Sequence, residues 1–237
     1  MVARRDGLDL TLRISGTDDV VTLGNYFDAD SQWFIEEIRF IDSPETVWRL
    51  AEVKARLLIG TSGDDTLIGE TTDDSLSGSG GNDQLFGEEG NDVLDGGTGD
   101  DNLIGGSGND TYVFGRGDGA DIVIDNGLAT GDVDKVLLKT GIAVADVQAI
   151  RDENDLVLGI KGTSDGMRVS GYFYDGSGTI VGQAWEIRFA DSLGTVWKLA
   201  DIQTLLLAGF TFTGTPFNDV LQGGVGNTGS TVSAVSV

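Results

Sequence analysis

Gly60-Thr-Ser-Gly63-Asp-Asp65-Thr-Leu67-Ile68 opens a run of six nine-residue units of the general form Gly-x-x-Gly-x-Asp-x-Leu-x. The run continues through residues 69–77, 78–86, 87–95, 96–104 and 105–113. Its sixth position is always aspartate: Asp65, Asp74, Asp83, Asp92, Asp101 and Asp110. The eighth is Leu67, Leu76, Leu85, Leu94, Leu103 and then Tyr112, so each unit couples one acid to one apolar side chain.

Glycines let a loop turn tightly and aim its carbonyl oxygens inward without a Cβ clash. One apolar residue between polar ones suits a short strand with a single buried face. Loop and strand therefore alternate. If two units make one turn of a solenoid, loops eighteen residues apart stack, and the acids fall into two columns: Asp65, Asp83 and Asp101, and Asp74, Asp92 and Asp110. Carboxylates converging with backbone oxygens make an all-oxygen cage. The candidate ligands are these aspartates with Gly63, Gly78, Gly80, Gly81, Gly90, Gly96, Gly97, Gly99 and Gly105. Such a cage suits Ca²⁺, whereas zinc takes thiolate or imidazole, and the chain has no Cys and no His.

The units resemble the haemolysin-type calcium-binding repeats of the RTX family. That resemblance implies a calcium-bound parallel β-roll, a solenoid that forms on calcium, in a protein exported from Gram-negative bacteria by type I secretion. The second unit has Glu70 and Thr72 where the family prefers glycine. After the sixth unit, Tyr112-Val-Phe-Gly115-Arg-Gly-Asp118-Gly-Ala-Asp121 is similar to the family's closing turn and brings Asp121 to the Asp101 column. The expected load is about three to five Ca²⁺ ions.

Charge agrees with a metal-dependent fold. Between Gly60 and Gly127 there are 16 acidic residues and one basic residue, Arg116, so this segment carries −15 of the chain's −24. Two like charges about 4 Å apart cost about 1 kcal/mol even in water, and stacked loops impose many such pairs. Metal binding and folding should then be one event. The acidity argues against nucleic acid or an anionic membrane as partner, and no apolar run is long enough to span a bilayer.

A longer repeat organises the rest. Arg5-Asp-Gly-Leu-Asp9-Leu-Thr-Leu12 matches Arg151-Asp-Glu-Asn-Asp155-Leu-Val-Leu158, and Tyr26-Phe27 matches Tyr172-Phe173. Glu37-Ile-Arg-Phe40 matches Glu186-Ile-Arg-Phe189, and Thr46-Val-Trp48 matches Thr195-Val-Trp197. The expected organisation is a flanking module at 1–58, the roll at 59–126, a connecting strand and short helix at 127–150, and a second module copy at 151–208. A new nonapeptide block and tail follow at 209–237. Each copy reads as four short strands, in two hairpins, and a helix. It resembles the domain that flanks calcium repeats in large secreted RTX proteins, and is expected to cap the roll's open end. The expected fold is therefore mainly β, a roll flanked by two related β-rich modules each ending in a short helix.

Other features have plainer readings. Arg116-Gly117-Asp118 spells an integrin-type tripeptide but sits in a tight closing turn. Gly115-Arg-Gly117-Asp-Gly-Ala120 fits a dinucleotide pattern, yet its acids would repel a pyrophosphate. Trp48 and Trp197, at the same place in both modules, suit a core role better than a sugar platform. Lack of His and Cys removes the usual nucleophile systems, and no acid pair stands apart from the repeat, so no catalytic site is expected. The start, Met1-Val-Ala-Arg-Arg-Asp, lacks an apolar signal core, and the tail 229–237 suits a C-terminal export signal or a cut. The expected role is a calcium-binding structural module of a secreted protein; the alternative is an adhesin or carbohydrate-binding segment. One surface stands out: Ile68, Phe86 and Ile104 recur at the ninth position as an outward apolar stripe, expected to be covered by the flanking module or by self-association.

Overall fold

The computed structural model describes residues 2–6, 9–14, 17–26, 37–41, 43–125, 132–173 and 185–207. Two compact units divide the chain, Met1–Ile59 and Gly60–Val237.

In the first unit, β1 (Val2–Asp6), β2 (Asp9–Arg13) and β3 (Val20–Leu23) form an antiparallel sheet, and β4 (Ile38–Phe40) pairs with β5 (Ser43–Trp48) ahead of α1 (Leu50–Leu57). Leu10 and Leu12 alternate inward along β2 and are buried. The helix starts where the Glu52 carboxylate accepts the Arg49 amide at 2.9 Å. It buries Val53 in a core with Leu10, Leu12, Tyr26 and Trp48. Trp48 meets Phe40 edge-on at 4.9 Å, and the Arg56 guanidinium lies 4.2 Å from its ring centre. The module thus has five described strands rather than four. The extra one, β1, carries little apolar alternation and is held by its backbone pairing along β2.

The second unit starts with the roll. Positions seven to nine of each nonapeptide form β6 (Thr66–Ile68), β7 (Ser75–Ser77), β8 (Gln84–Glu89), β9 (Val93–Asp95), β10 (Asn102–Ser107) and β11 (Thr111–Phe114). Alternate units go to opposite sheets, with β6, β8 and β10 parallel in one and β7, β9 and β11 parallel in the other. Leu76, Leu85, Leu94, Leu103 and Tyr112 fill the space between the sheets and are essentially inaccessible. The roll then adds β12 (Ala120–Ile124) beside β10 and β13 (Lys135–Leu138) beside β11.

The second module copy follows as β14 (Val147–Asp152), β15 (Asp155–Ile160), β16 (Gly166–Val169), β17 (Glu186–Phe189), β18 (Val196–Trp197) and α2 (Leu199–Leu207). It continues the roll's own sheets. Strand β16 lies parallel to β12 and β17 parallel to β13, giving sheets ordered β14-β15-β16-β12-β10-β8-β6 and β18-β17-β13-β11-β9-β7. The segment 127–150 differs from expectation. Its strand is the last rung of the roll, and its helix is a single 3₁₀ turn, Val144–Asp146, followed by β14. Val147 and Ala149 are the buried positions there, a period of two that makes a strand. The block 209–237 lies outside the described residues.

The apolar stripe is a cross-strand ladder. Ile68 pairs with Phe86, Phe86 with Ile104, and Ile104 with Ile124, so each side chain shields the next. Ile68 at the end of the row is 55% exposed, while Phe86 and Ile104 are half-buried. Phe86→Asp should therefore lower the unfolding midpoint at saturating calcium by about 2–4 °C per 1 kcal/mol lost. Ser77→Asp on the other sheet should change it much less. Thermal melts followed by circular dichroism check both.

Candidate metal centre

The two acid columns are built by side chains bonding to the backbone of the neighbouring turn. Asp65 donates its amide to Asp83 Oδ1 at 2.7 Å, Asp83 to Asp101 Oδ1 at 2.8 Å, and Asp101 to Asp121 Oδ1 at 3.1 Å. In the other column, Asp74 donates to Asp92 Oδ1 at 2.8 Å, Asp92 to Asp110 Oδ1 at 2.9 Å, and Asp110 to Asp134 Oδ1 at 2.9 Å. Spacing is 18 residues inside the run and widens to 20 and 24 at its end, so Asp121 and Asp134 follow insertions in the closing turns. Asp134 is a column member that sequence reasoning missed, because it sits outside the nonapeptide period, 24 residues after its partner Asp110.

With Oδ1 committed to the backbone, the other carboxylate oxygen decides the chemistry. Asp83, Asp92, Asp101 and Asp110 each hold Oδ2 buried without a hydrogen-bond partner. A buried, unpaired carboxylate oxygen is costly and needs compensation. In the first turn Oδ2 is occupied locally: Asp65 accepts from the Thr61 amide at 2.6 Å and Asp74 from the Glu70 amide at 2.6 Å.

The surroundings of these orphaned oxygens fit calcium. Asp83 Oδ2 and the Gly96 carbonyl oxygen both lie where a Cβ on Gly78 would stand. Asp92 Oδ2 and the Gly105 carbonyl crowd Gly87 in the same way, Asp101 Oδ2 crowds Gly96, and Asp110 Oδ2 with the Tyr112 hydroxyl crowds Gly105. The donors are all oxygen. No three carboxylates converge among the described residues, so backbone carbonyls must complete each coordination shell. That mixture of carboxylate and carbonyl oxygens is a hard-cation donor set suited to Ca²⁺.

Metal-free electrostatics point the same way. Burial pushes the Asp92, Asp101 and Asp110 carboxyls up to about 6 and Asp121 to about 8. Burial also raises Asp83 and Asp134, with neighbouring acids adding to each shift. Asp83 and Asp92 serve two turns, one through each oxygen. Asp83→Ala or Asp92→Ala should therefore lower bound calcium by more than one ion per chain, and Asp74→Ala by less. Native mass spectrometry counts the ions, and equal losses at all three positions would contradict this arrangement.

The expected glycines divide by role. Gly78, Gly96 and Gly105 cradle the orphaned oxygens, as does Gly87, which the sequence-based ligand set left out, while Gly60 and Gly69 lie in the same way against the satisfied Oδ2 atoms of Asp65 and Asp74. Gly81, Gly90, Gly97 and Gly99 have positive φ and pack against the backbone of the preceding turn. Gly80 bridges Thr98, and Gly63 is exposed. A second ladder, at the fifth position, was not foreseen. Asp64, Asn82 and Asp100 accept the amides of Asn82, Asp100 and Ala120, and Asp73, Asn91 and Asn109 accept those of Asn91, Asn109 and Val133. Its signal is visible as an unbroken Asp/Asn column immediately before each sixth-position aspartate.

The closing turn has local roles. Asp118 is buried, accepts the Gly115 amide at 2.7 Å and pairs with Lys139 Nζ at 2.9 Å, and Lys139 also holds Asp95 at 2.8 Å. Arg116 reaches Asp146 at 3.0 Å. Asp118 is thus withdrawn from the surface that an integrin-type tripeptide would need.

The family description "RTX calcium-binding nonapeptide repeat (4 copies)" matches residues 59–94, 86–123 and 211–227. "Haemolysin-type calcium binding protein related domain" matches residues 9–52 and 155–201, one in each module copy. No curated protein matches the chain. Among solved structures, the AlgE6R3 subunit of the mannuronan C5-epimerase from Azotobacter vinelandii is similar at 28% identity, over 47% of this chain and 73% of that one, with a TM-score of 0.35. The repeats, the parallel roll and the paired related domains mark this as an RTX-type chain, a calcium-binding structural module.

Proposed function

We propose that the chain is a calcium-triggered folding module of a protein exported by type I secretion. It is unfolded at the low free calcium of the cytosol and folds outside the cell, where about millimolar calcium fills extracellular-type sites. The carrying observation is the set of four buried carboxylate oxygens on Asp83, Asp92, Asp101 and Asp110 that lack any partner. They make the folded roll unfavourable without a cation and favourable with one. The load is about three to five ions, counted from stacked turns whose shells need six to eight oxygens.

The module itself carries no reaction in this reading. Apart from Asp165, its buried acids have places in a column or, for Asp118, in the ion pair with Lys139, which leaves no separate buried acid pair for acid–base work among the described residues. An adhesin or sugar-binding role needs an accessible aromatic platform, and Trp48 and Trp197 are buried against Phe40 and Phe189.

Circular dichroism at buffered free calcium tests the proposal. Strand signal should be lost in chelator, return cooperatively at about 10⁻⁴–10⁻³ M calcium, and fail to return with magnesium, which demands tight octahedral geometry. An unchanged spectrum in chelator would overturn it.

A further inference from the structure

The two module copies share their internal contacts. Asn25 donates to Asp9 Oδ1 at 2.7 Å, as Gly171 does to Asp155 Oδ1 at 2.8 Å. Arg39 grips Glu37 as Arg188 grips Glu186, each Nε at 2.9 Å. Phe40 meets Trp48 and Phe189 meets Trp197 edge-on, each at 4.9 Å.

The copies differ at one surface. In the second copy, β16 and β17 are bonded to the last two roll strands. Gly166 donates to the Gly119 carbonyl at 2.9 Å and Ser170 to Val123 at 3.0 Å, while Glu186 donates to Asp134 at 2.9 Å and Ala190 to Leu138 at 3.0 Å. Met167 and Ile160 are buried there, at 0% and 3% exposure. The matching strands of the first copy are edges: among the described residues β3 pairs only with β2, and β4 only with β5. Val21, at the place of Met167, is 57% exposed although it faces the same side as buried Leu12. Ile14, at the place of Ile160, is 48% exposed. These residues with Val20, Leu23 and Ile38 line a groove of about 440 Å³.

We infer that the first copy is a docking surface for the closing turn of a calcium roll joined ahead of it in the same polypeptide. The groove accepts the inward apolar side chains of that turn, and β3 and β4 extend its two sheets in parallel, as β16 and β17 do for β12 and β13. Short edge strands are normally also charged or covered, whereas β3 reads Val-Val-Thr-Leu and leaves Val21 uncovered on the side that Leu12 faces. A module of this kind then alternates with rolls, each copy finishing the roll before it. The inference rests on the calcium-roll reading of the chain.

Hydrogen exchange in millimolar calcium tests it. The native chain is compared with an extended chain in which residues 60–147 are repeated ahead of Val2, the junction that the second copy has. Amides of Val20–Leu23 and Ile38–Phe40 should exchange at least about tenfold more slowly in the extended chain. Val21→Asp in that chain should restore the fast rate. Strands β16 and β17, bonded to a roll in both chains, report the calcium-dependent fold independently of the first copy. Equal exchange in the two chains, or an added roll that takes up no calcium, overturns the proposal. Protection already present in the native chain also overturns it, because the occupant is then the chain's own roll or a second copy.

Discussion

Stripped of calcium near pH 8, the chain is expected to lose its roll, and lowering the pH to about 5 should bring much of the strand signal back. Burial raises the folded-state carboxyls of Asp92, Asp101 and Asp110 to about 6 and of Asp121 to about 8, from an ordinary value of 3.8. The metal-free folded roll therefore binds more protons than the unfolded chain across that window. Its stability is present below the ordinary carboxylate range and is lost as pH rises through about 6 and then about 8. Calcium reverses the slope, because it takes the deprotonated oxygens and competes with protons. Chemical denaturation of chelexed and calcium-loaded protein across pH checks the sign. Parallel slopes in the two states would show that the buried acids do not govern folding.

Gly99→Val is expected to abolish roll folding even at saturating calcium. Gly99 has φ of +132°, and a Cβ there would run into the Gly81 carbonyl oxygen of the turn below. Backbone stacked on backbone cannot move aside without breaking the 18-residue register. The substitution thus strains φ and removes the close approach together, a combination costing several kcal/mol against a stability of about 5–15 kcal/mol. Gly63→Ala is the control, since the atom nearest its Cβ would be Thr61 Oγ1 at 4.0 Å, an ordinary contact. Loss of the calcium-induced spectrum in Gly99→Val, with its retention in Gly63→Ala, is the expected pair of results.

The roll was legible because its period is written in residue types with narrow physical uses. An aspartate every nine residues beside a leucine leaves little room for another architecture. The two columns followed from assuming two units per turn, and the 18-residue hydrogen bonds from Asp65 to Asp83 and from Asp74 to Asp92 have that spacing. Legibility failed where the period failed. Asp134 lies 24 residues from Asp110, and only the three-dimensional path of the chain brings its carboxylate under the column. Short strands without apolar alternation, such as β1, leave almost no mark because backbone pairing holds them. The segment 143–150 carried apolar residues dense enough to suggest a helix, whereas Val147 and Ala149 face inward from an antiparallel strand. Continuity of the roll's sheets into the second module was also illegible, since β16 and β17 read locally as hairpin strands and their partners β12 and β13 lie far away in sequence.

The most direct test of the central claim, that calcium binding and roll folding are one event, is a calcium titration read at once by native mass spectrometry and by amide exchange at Asp83, Asp92, Asp101 and Asp110. These amides are held by carboxylates of the next turn, so their protection reports the stacked columns themselves. The account predicts that ion count and protection rise together along one cooperative curve. Protected amides in a chain carrying no calcium, or bound calcium with the amides still exchanging freely, would contradict it.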